Sequence, residues 1–464
     1  MSTTAYDPAQ VRTWGARNAH DPTVVRGADG HWYMFSTDAG AGAAESAAPA
    51  GVHMRRSADL ITWEFTGTAL AGVPAEAAAW SGAGGLWAPE VVRWPAAGGE
   101  TRWHMYYSAS TFGSNTSAIG LATAPGPAGP WTHQGLVVAT RAGTDAQNAI
   151  DAAVTFDAGG RPWLTYGSFF AGIHTLQLSL ADGMPESPGD KGVLIARRDA
   201  SVEGSVEGAC VLHRPDTGQY ILFASYGSLF STYNIRVAVA DSITGPYRDA
   251  LGSSLTDAAL PPWRAGTKVL GSWQFKGGPA WTAPGHNSVL VEEGPAGPEF
   301  FMVHHVRFAE TAADPAIEHT AQLRRMFFTA DGWPVVSPHT FHGAGSEILP
   351  APEAVAGRWR AVQFRPETEQ PARDVAGTIT VASGPAAIAG EPVQCRLVLA
   401  VDGGPAGCGG TGGTGSGSGS GAGVELDAVV FGSWDDTRGE TLLSFSGIDS
   451  DGTAWFGSKG GNHV

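Results

Sequence analysis

Apolar and polar residues along this chain form short runs of strand length, each bounded by a turn-forming dipeptide. Segments such as ADGHWYMF at 28–35 and DTGQYILF at 216–223 place a Gly-containing turn before alternating or continuous apolar residues. A tight turn followed by such a run is typical of a β-hairpin. The pattern therefore predicts a protein built from many short strands.

A unit of this kind recurs along the chain. LATAPGPAGPW at 121–131 and VAVADSITGPY at 237–247 both run from a strand through a loop to a Gly-Pro-aromatic close. The polar residues that open successive units are Asp21, Glu90, Asp151, Glu207 and Asn287. Their spacings of 69, 61, 56 and 80 residues fit five four-stranded blades. We therefore predict an all-β fold in which residues 1–350 form a five-bladed β-propeller.

These opening polar residues are predicted to begin the first strand of each blade, and the first strands of a propeller line its central channel. Side chains far apart in sequence then converge on one end of the channel, which turn formation does not explain. Taken alone, Asp21 fits an Asp favoured before Pro in a turn, and Asp151 fits a strand-end Asp bonded to backbone N–H groups. Taken together, the acidic residues indicate a site at that end.

The pattern changes after residue 350. Strands with the sequences GRWRAVQF, GTITVASG and QCRLVLAV are followed by a Gly/Ser/Thr stretch at 409–423, after which VELDAVVFGSWDD resumes the strands. Such a stretch is usually a flexible linker, but too few residues remain after it for a further domain. We predict a smaller C-terminal β-barrel or β-sandwich domain over residues 351–464, with 409–423 as a disordered loop inside it.

Composition and charge narrow the function classes. Gly accounts for 65 of the 464 residues, which favours strands and tight turns over helices. The 28 basic and 44 acidic residues give a net charge of -16, which repels nucleic acid and anionic membrane surfaces. A neutral polymer meets no such repulsion. We expect neither a nucleic-acid nor a membrane partner.

Cysteine usage and the first residues bear on the compartment. Cys210, Cys395 and Cys408 are too few for a disulfide framework, although a Cys395–Cys408 bridge remains open. The start, MSTTAYDPAQVRTWG, lacks the basic and then apolar pattern of a signal peptide. We expect a cytoplasmic protein if this start is native, and a secreted one if a leader has been removed.

Longer phrases carry a family resemblance. They are AHDPTVV at 19–25, LWAPEVV at 86–92, YYSASTFGSNTSAIGLAT at 106–123, NAIDAAVTFDAGGRPWLTYGSFFAGI at 148–173, SVEGACVLHR at 205–214, GHNSVLV at 285–291 and LRRMFFTADGWPVVSP at 323–338. These phrases span all five predicted blades and resemble the arabinanases of glycoside hydrolase family 43. The resemblance implies an enzyme that cleaves α-1,5-linked arabinan. The closing FSGIDSDGTAWFG is similar to the C-terminal β-barrel of some arabinanases.

The resemblance implies three catalytic carboxylates. Asp21 would be the general base and Glu207 the general acid, while Asp151 would raise the pKa of the acid and orient it. Two carboxyl groups with separated pKa values can supply the proton and the activated water that acetal hydrolysis requires. The family inverts configuration, which implies about 6.5–9.5 Å between base and acid. Glu203 rivals Glu207 because SVEGSVEG repeats the tetrapeptide, but the apolar strand ACVL follows Glu207 directly.

Further residues inside the matched phrases are candidate ligand contacts. Trp87 and Phe112 match aromatic positions that stack on furanose rings in relatives, with core packing as the alternative. Asn148 and Ser168 are candidates for contacting the sugar or supporting the catalytic groups. His286 matches a histidine that similar enzymes place under the active site to bind an ion, usually calcium. A hydrogen-bonded core histidine is the alternative, because calcium prefers oxygen ligands.

Other function classes stay open. An exo-acting α-L-arabinofuranosidase or a β-xylosidase would keep the three carboxylates and change only the loops. A non-catalytic carbohydrate-binding propeller would not need three acidic residues at strand starts. We therefore favour a monomeric, inverting and endo-acting arabinanase, with arabinan as its partner and Ca²⁺ as its cofactor.

Overall fold

The computed structural model describes residues 13–40, 48–95, 101–308, 319–402 and 423–459. Their regular secondary structure is almost entirely β-strand, arranged as five blades and one closed six-stranded barrel. The predicted all-β fold, a five-bladed propeller followed by a C-terminal barrel, is confirmed.

The first three blades are antiparallel sheets whose strand order follows the chain. The strands of blade 1 are Thr23–Arg26, Trp32–Ser36, His53–Ser57 and Glu64–Thr68. The strands of blade 2 are Trp87–Pro95, Thr101–Ala109, Ser117–Ala124 and Thr132–Thr140. The strands of blade 3 are Ala153–Phe156, Pro162–Tyr166, Ile173–Gln177 and Val193–Ala196.

The last two blades lie nearest the C-terminal domain. The strands of blade 4 are Val206–Arg214, Gln219–Tyr226, Asn234–Ala240 and Thr267–Leu270. The strands of blade 5 are Trp273–Gln274, Ala280–Gly294, Gly297–Phe308, Thr320–Phe328, Pro334–Val336 and Ala372–Arg373. Ala372–Arg373 comes from the C-terminal part of the chain and pairs in parallel with Trp273–Gln274. The C-terminal domain thus extends the sheet of the last blade.

One strand of each blade faces the central channel, and we call these five the inner strands. They are Thr23–Arg26, Trp87–Pro95, Ala153–Phe156, Val206–Arg214 and Ala280–Gly294. Each inner strand contacts those of the two neighbouring blades, so that the ring closes between blades 5 and 1. In blades 1 to 4 the inner strand is the first strand, as predicted. In blade 5 it is the second, because the short strand Trp273–Gln274 pairs only with its beginning.

The two Gly-Pro-aromatic repeats share one conformation. The Gly129–Pro130 and Gly245–Pro246 peptide bonds are both cis. The aromatic residue that follows is buried in each, and it donates a hydrogen bond to the carbonyl four residues earlier: Trp131 to Pro127 at 3.2 Å and Tyr247 to Ile243 at 3.0 Å. The repeat seen in the sequence is therefore also a repeat of structure.

The C-terminal barrel closes through six antiparallel strands. They are Gly357–Phe364, Val375–Ser383, Val393–Val401, Val424–Asp435, Glu440–Asp449 and Ala454–Ser458. A short pair, Glu353–Ala354 with Ala387–Ile388, is a separate two-stranded sheet. The domain boundary at 350/351 stays a prediction. Most of the predicted loop at 409–423, and Cys408 of the Cys395–Cys408 pairing that the sequence leaves open, lie outside the described residues.

One apolar cluster joins the propeller to the barrel. It packs Phe223 and Trp273 of blades 4 and 5 together with Val362, Phe431 and Phe456 of the barrel. Each of these five residues is at most 2% exposed. Removing this much apolar surface from water is the main force that fixes the two domains to each other.

Helices are few in the described part of the chain. The α-helix is Ala75–Ser81, and two 3₁₀ helices are Ala200–Val202 and Ala344–Glu347. Among these described helices, none has the length and apolar character that a membrane crossing requires.

Candidate active site

At one end of the channel, each inner strand either contains a residue in the left-handed backbone conformation or begins two residues after one. The five residues are Asp21, Ala88, Asp151, Gly208 and His286, with φ angles of 51°, 41°, 61°, 54° and 47°. Four of them are not glycine, the residue type that accepts positive φ most readily. The shared turn marks one end of the ring, which we call the upper end, and it carries three ionisable side chains.

Two of the polar residues singled out in the sequence lie further down the channel. Glu90 lines a cavity of about 270 Å³ in the lower channel, together with Cys210. Asn287 donates a hydrogen bond to the Cys210 sulfur at 3.5 Å. The prediction that all five opening residues converge on one end is therefore wrong for Glu90 and Asn287. A β-bulge precedes the regular ladder in each of their strands and shifts them along the channel.

Asp21 is bonded on several sides at the upper end. The Thr37 hydroxyl donates to Asp21 Oδ2 at 2.6 Å, and His286 Nδ1 lies 3.0 Å from Oδ1. His20 Nδ1 lies 3.3 Å from Oδ2. The backbone N–H of Asp21 donates to His305 Nδ1 at 3.2 Å. Although Asp21 is only 8% exposed, both oxygens of its carboxylate have polar partners.

These partners decide the charge of Asp21. Burial alone would raise the pKa of Asp21. The charges of His20 and His286, with hydrogen bonds from His286 and Thr37, outweigh burial and hold the pKa of Asp21 well below its usual range. Asp21 is therefore a carboxylate at neutral pH.

Asp151 and Glu207 form another part of the same pocket. The backbone N–H of Gly208 donates to Asp151 Oδ2 at 3.0 Å, and the Ser168 hydroxyl donates to Glu207 Oε2 at 2.6 Å. Burial raises the pKa of Asp151 to about 6. Burial, followed by the charge of Asp151, raises the pKa of Glu207 to about 7. The pocket thus combines an ionised carboxylate, Asp21, with a carboxyl group, Glu207, that is substantially protonated near pH 7.

His286 lies among these acidic groups. Its backbone N–H donates to the Ser225 hydroxyl at 2.7 Å, which fixes the residue against blade 4. Burial alone would lower the pKa of His286, but the charges of Asp21 and Asp151 raise it to about 9. A Cβ added at Gly208 would lie 2.9 Å from His286 Cγ, closer than real Cβ atoms approach. Gly208 therefore belongs to the site. It could have been found from the sequence, because it directly follows Glu207.

Asn148 and Ser168 support Glu207 rather than facing open solvent. Ser168 is 3% exposed and Asn148 is 4% exposed. Asn148 Nδ2 donates to the Ser168 carbonyl at 3.3 Å, and Asn148 Oδ1 accepts from the Ser117 hydroxyl at 2.7 Å. Of the two roles left open by the sequence, the contacts favour support of the catalytic group. The rival Glu203 is exposed at the end of a 3₁₀ helix, whereas Glu207 is buried.

A histidine cluster behind Asp21 was not predicted. The rings of His20 and His319 stack at 4.0 Å between centroids, and His305 lies 4.4 Å from His20 and 4.6 Å from His319. Their ligand atoms lie within 4.8 Å of one another, close enough to share a metal ion. However, His305 Nδ1 accepts from Asp21 N–H and His319 Nε2 accepts from Arg307 at 3.0 Å. Each of these two rings then carries its proton on the other nitrogen, so we assign the cluster to holding Asp21 rather than to metal binding.

The two predicted aromatic contacts differ in exposure. Trp87 is half-buried beside the upper end of blade 2. Phe112 is 81% exposed, so the alternative of core packing is wrong for it. Its ring lies 6.4 Å from that of Phe230, which is 50% exposed and belongs to the corresponding loop of blade 4. Phe170, in the same loop of blade 3, is 51% exposed. Phe230 and Phe170 were not predicted as contacts, although all three phenylalanines follow the second strand of a blade.

The residues around His286 fit a cation. The acidic groups Asp21, Asp151 and Glu207 create a negative pocket, and the buried Asn287 Oδ1 has no hydrogen-bond partner within the described part of the chain. Oxygen atoms of this kind are what Ca²⁺ prefers. Because Asp21 engages His286 Nδ1, the ring nitrogen left for an ion is Nε2, and an ion there would have to displace the proton that the acidic groups favour on this ring.

Comparison with known proteins agrees with this geometry. The family model for glycosyl hydrolases family 43 matches residues 15–334. The chain is 26% identical to the extracellular endo-alpha-(1->5)-L-arabinanase 2 of Bacillus subtilis, over 95% of this chain and 93% of the relative. It is 30% identical to the extracellular exo-alpha-(1->5)-L-arabinofuranosidase ArbA of Cellvibrio japonicus, over 69% of this chain and 86% of the relative.

A solved structure matches both domains. The crystal structure of the endo-1,5-alpha-L-arabinanase from Thermotoga petrophila superimposes with a TM-score of 0.74, covering 96% of this chain and 98% of that chain at 24% identity. This likeness supports the fold, a propeller with an appended barrel. With a family model that spans more than half of its length, the chain belongs to glycosyl hydrolases family 43.

Proposed function

We propose that this protein is an inverting, endo-acting hydrolase of α-1,5-linked arabinan. The observation that carries the proposal is the pairing, in one buried pocket, of an ionised Asp21 with a Glu207 whose pKa is raised to about 7. Acetal hydrolysis needs such a pair, one group to activate water and one to protonate the leaving oxygen. The names of the Bacillus and Cellvibrio relatives supply the substrate, α-1,5-linked arabinose polymers.

The residues divide the chemistry as follows. Asp21 accepts a proton from the attacking water, while Glu207 gives its proton to the departing sugar oxygen. Asp151 raises the pKa of Glu207 through its charge and is itself held by the Gly208 N–H. Ser168 orients the Glu207 carboxyl group. Inversion requires room for a water between base and acid, about 6.5–9.5 Å.

Endo action is favoured over exo action by the extent of the match. The relative that aligns with nearly the whole chain, both propeller and barrel, is named an endo-arabinanase. The relative named as an exo enzyme aligns with a smaller share of the chain. An exo-acting arabinofuranosidase is therefore the second candidate, since the same three carboxylates serve both modes.

One experiment separates these candidates. The protein is incubated with linear arabinan, branched arabinan, xylan and the matching aryl glycosides, and the products are sized over time. We expect a ladder of oligosaccharides from linear arabinan first, with the initial product in the inverted anomeric form by NMR. Arabinose or one fixed short product from the earliest time would favour exo action. Release from xylan alone would contradict the arabinan proposal.

We further propose that Ca²⁺ binds beside His286, with Asn287 Oδ1 and ordered water as oxygen ligands, and that the protein acts as a monomer. When bound, the ion would supply positive charge to the acidic pocket. Removal of Ca²⁺ by a chelator should lower activity and calcium should restore it. Unchanged activity, metal content and melting temperature in His286→Ala would contradict the ion site. Size-exclusion chromatography with light scattering tests the monomer.

A further inference from the structure

A second pocket lies between blade 5 and the barrel, remote from the catalytic carboxylates in sequence and formed by both domains. Its volume is about 260 Å³, close to the lower end of the ~300–1,000 Å³ of small-molecule sites. Blade 5 contributes the turn at 275–281, and the barrel contributes the hairpin at 435–438. None of the residues that we place in the catalytic pocket lines it.

One wall of this interdomain pocket is aromatic. Trp273 is fully buried and Trp281 is partly exposed, and their rings stack at 6.0 Å between centroids. Phe275 stacks on His339 with centroids 5.9 Å apart and planes 14° from parallel. Because Trp273 is fully buried, the partly exposed rings of Trp281 and Phe275 are the ones that can offer apolar surface to a sugar ring.

The other walls carry hydrogen-bond donors and acceptors. Arg324 is fully buried, and its Nη1 donates to the carbonyls of Ser337 and Pro338 at 3.1 and 2.7 Å. Its Nε is buried and has no hydrogen-bond partner among the described residues. Across the pocket, the Asp436 carboxylate is 57% exposed and accepts a hydrogen bond from the Thr340 hydroxyl at 3.1 Å.

This combination selects one class of ligand. A purely apolar ligand would displace water from the exposed charged groups of Asp436 and Lys276 without replacing its hydrogen bonds, which is costly. The lining also carries groups of both signs, acidic Asp435 and Asp436 beside basic Lys276, Arg360 and Arg438, so an anionic or a cationic ligand would meet like charge. A sugar hydroxyl both donates and accepts, so a neutral saccharide can satisfy groups of both signs while its ring packs on the aromatic wall.

We infer that the interdomain pocket is a second, non-catalytic binding site for a short segment of neutral saccharide, and that arabinan is the polymer it holds. The choice of arabinan rests on the proposed function. A chain bound at two places dissociates less readily than a chain bound at one, because the second contact forms at a high effective concentration. The pocket therefore strengthens binding of polymer without affecting short substrates.

Gly278 offers a way to close the pocket. It lines the pocket in an ordinary backbone conformation, and a Cβ there would meet the Phe275 carbonyl at 3.5 Å and Thr437 at 4.0 Å, which are normal contacts. Gly278→Trp should place a side chain in the cavity. Gly345→Trp is the matched control, since Gly345 is exposed outside the pocket and its Cβ would meet nothing within 4 Å.

The test measures binding of linear arabinohexaose by calorimetry in a Glu207→Gln background, which prevents hydrolysis. We expect two bound molecules per chain, reduced to one by Gly278→Trp and left at two by Gly345→Trp. In the active enzyme, Gly278→Trp should raise KM on polymeric arabinan roughly threefold to tenfold and leave kcat/KM on arabinotriose within a factor of about two. If Gly278→Trp lowers the melting temperature, Asp436→Ala replaces it as the test variant, because Asp436 is exposed. It should also raise KM on polymeric arabinan.

Two outcomes would overturn the inference: a single bound molecule in the parent, or two bound molecules in both tryptophan variants. If the protein hydrolyses arabinan but gives either of these outcomes, the proposed function is supported and only the second binding site is contradicted. Loss of one bound arabinohexaose on closing the pocket, in a protein that does not hydrolyse arabinan, supports the binding site and contradicts the proposed function.

Discussion

The propeller channel and the barrel interior are both enclosed by rings of strands, yet they bury opposite kinds of side chain. The upper end of the channel buries Asp21, Asp151 and Glu207, each less than 10% exposed. The barrel interior holds apolar residues such as Ile379 and Phe445, both 0% exposed. Two regions of one all-β chain thus differ in chemistry, although both are formed by strands.

The difference follows from how each ring closes. Barrel strands are hydrogen-bonded to both neighbours, so the interior is narrow and side chains fill it. The inner strands of the propeller belong to five separate sheets and are not bonded to one another, which leaves a channel. Left-handed residues at the upper end then place polar side chains and backbone N–H groups around that channel. The candidate catalytic residues therefore lie in the propeller channel, where the ring of inner strands is not closed by hydrogen bonds.

The largest effect should come from removing a channel carboxylate. Glu207→Ala should lower kcat on arabinan about 10²- to 10⁴-fold and lower it much less on aryl glycosides, whose leaving groups depart without a proton. Asp21→Ala should damage both substrates alike, because water must be activated whatever departs. Glu203→Ala, an exposed carboxylate in the same repeated tetrapeptide, is the control and should retain activity. Equal losses on both substrates for Asp21→Ala and Glu207→Ala would leave acid and base unassigned.

A barrel substitution should affect stability instead of chemistry. Ile379→Ala should lower the free energy of unfolding by about 2–5 kcal/mol through lost burial and a cavity. The folded fraction should keep kcat unchanged. Thr380→Ala, on the exposed face of the same strand, should change stability little. The measurement is denaturant unfolding combined with initial rates, and a rate loss that exceeds the loss of folded protein would break the comparison between barrel and channel.

Gly208→Ala tests the geometry of the upper end. The added methyl group would lie about 2.9 Å from His286 and displace it, and misplacement by about 1 Å can cost about 10²-fold in rate. Gly218→Ala is the matched control, because Gly218 also has positive φ, at 73°, but has open space around it. Both substitutions place an alanine at positive φ, which strains the backbone in each variant. A similar rate loss in both would therefore show that contact with His286 is unimportant.

The smallest effects concern pH. Glu207 must be protonated to act as the acid, so activity should fall as pH rises through its pKa of about 7. Asp151→Asn should move this alkaline limit to lower pH, because the charge of Asp151 raises the pKa of Glu207. Ser168→Ala should move it to higher pH, because the Ser168 hydrogen bond lowers that pKa.

The matched control for Ser168 is a buried serine of the barrel. Ser433→Ala removes a hydroxyl that is bonded to Ser444 at 2.7 Å, far from any titrating carboxyl group of the channel. Its pH profile should equal that of the parent. An alkaline limit that is the same in all three variants would mean that Glu207 does not set it.

Much of the fold was determined by the sequence itself. Hairpin turns and strand-length apolar runs are local features, so the number of blades and the change to a second β domain could be predicted from spacing. The Gly-Pro-aromatic repeats at 121–131 and 237–247 also have one structure, because each bonds its aromatic ring within its own segment.

The candidate site was determined only in part by the sequence. Asp21, Asp151 and Glu207 could be singled out because they lie at strand starts inside family phrases. Tertiary structure alone decided that Glu90 lies in the lower channel, that His305 accepts from the Asp21 backbone, and that Phe230 meets Phe112. These contacts join different blades, and β-bulges and left-handed residues set their register. Which side chains meet across the channel depends on that register, and neither spacing nor composition encodes it.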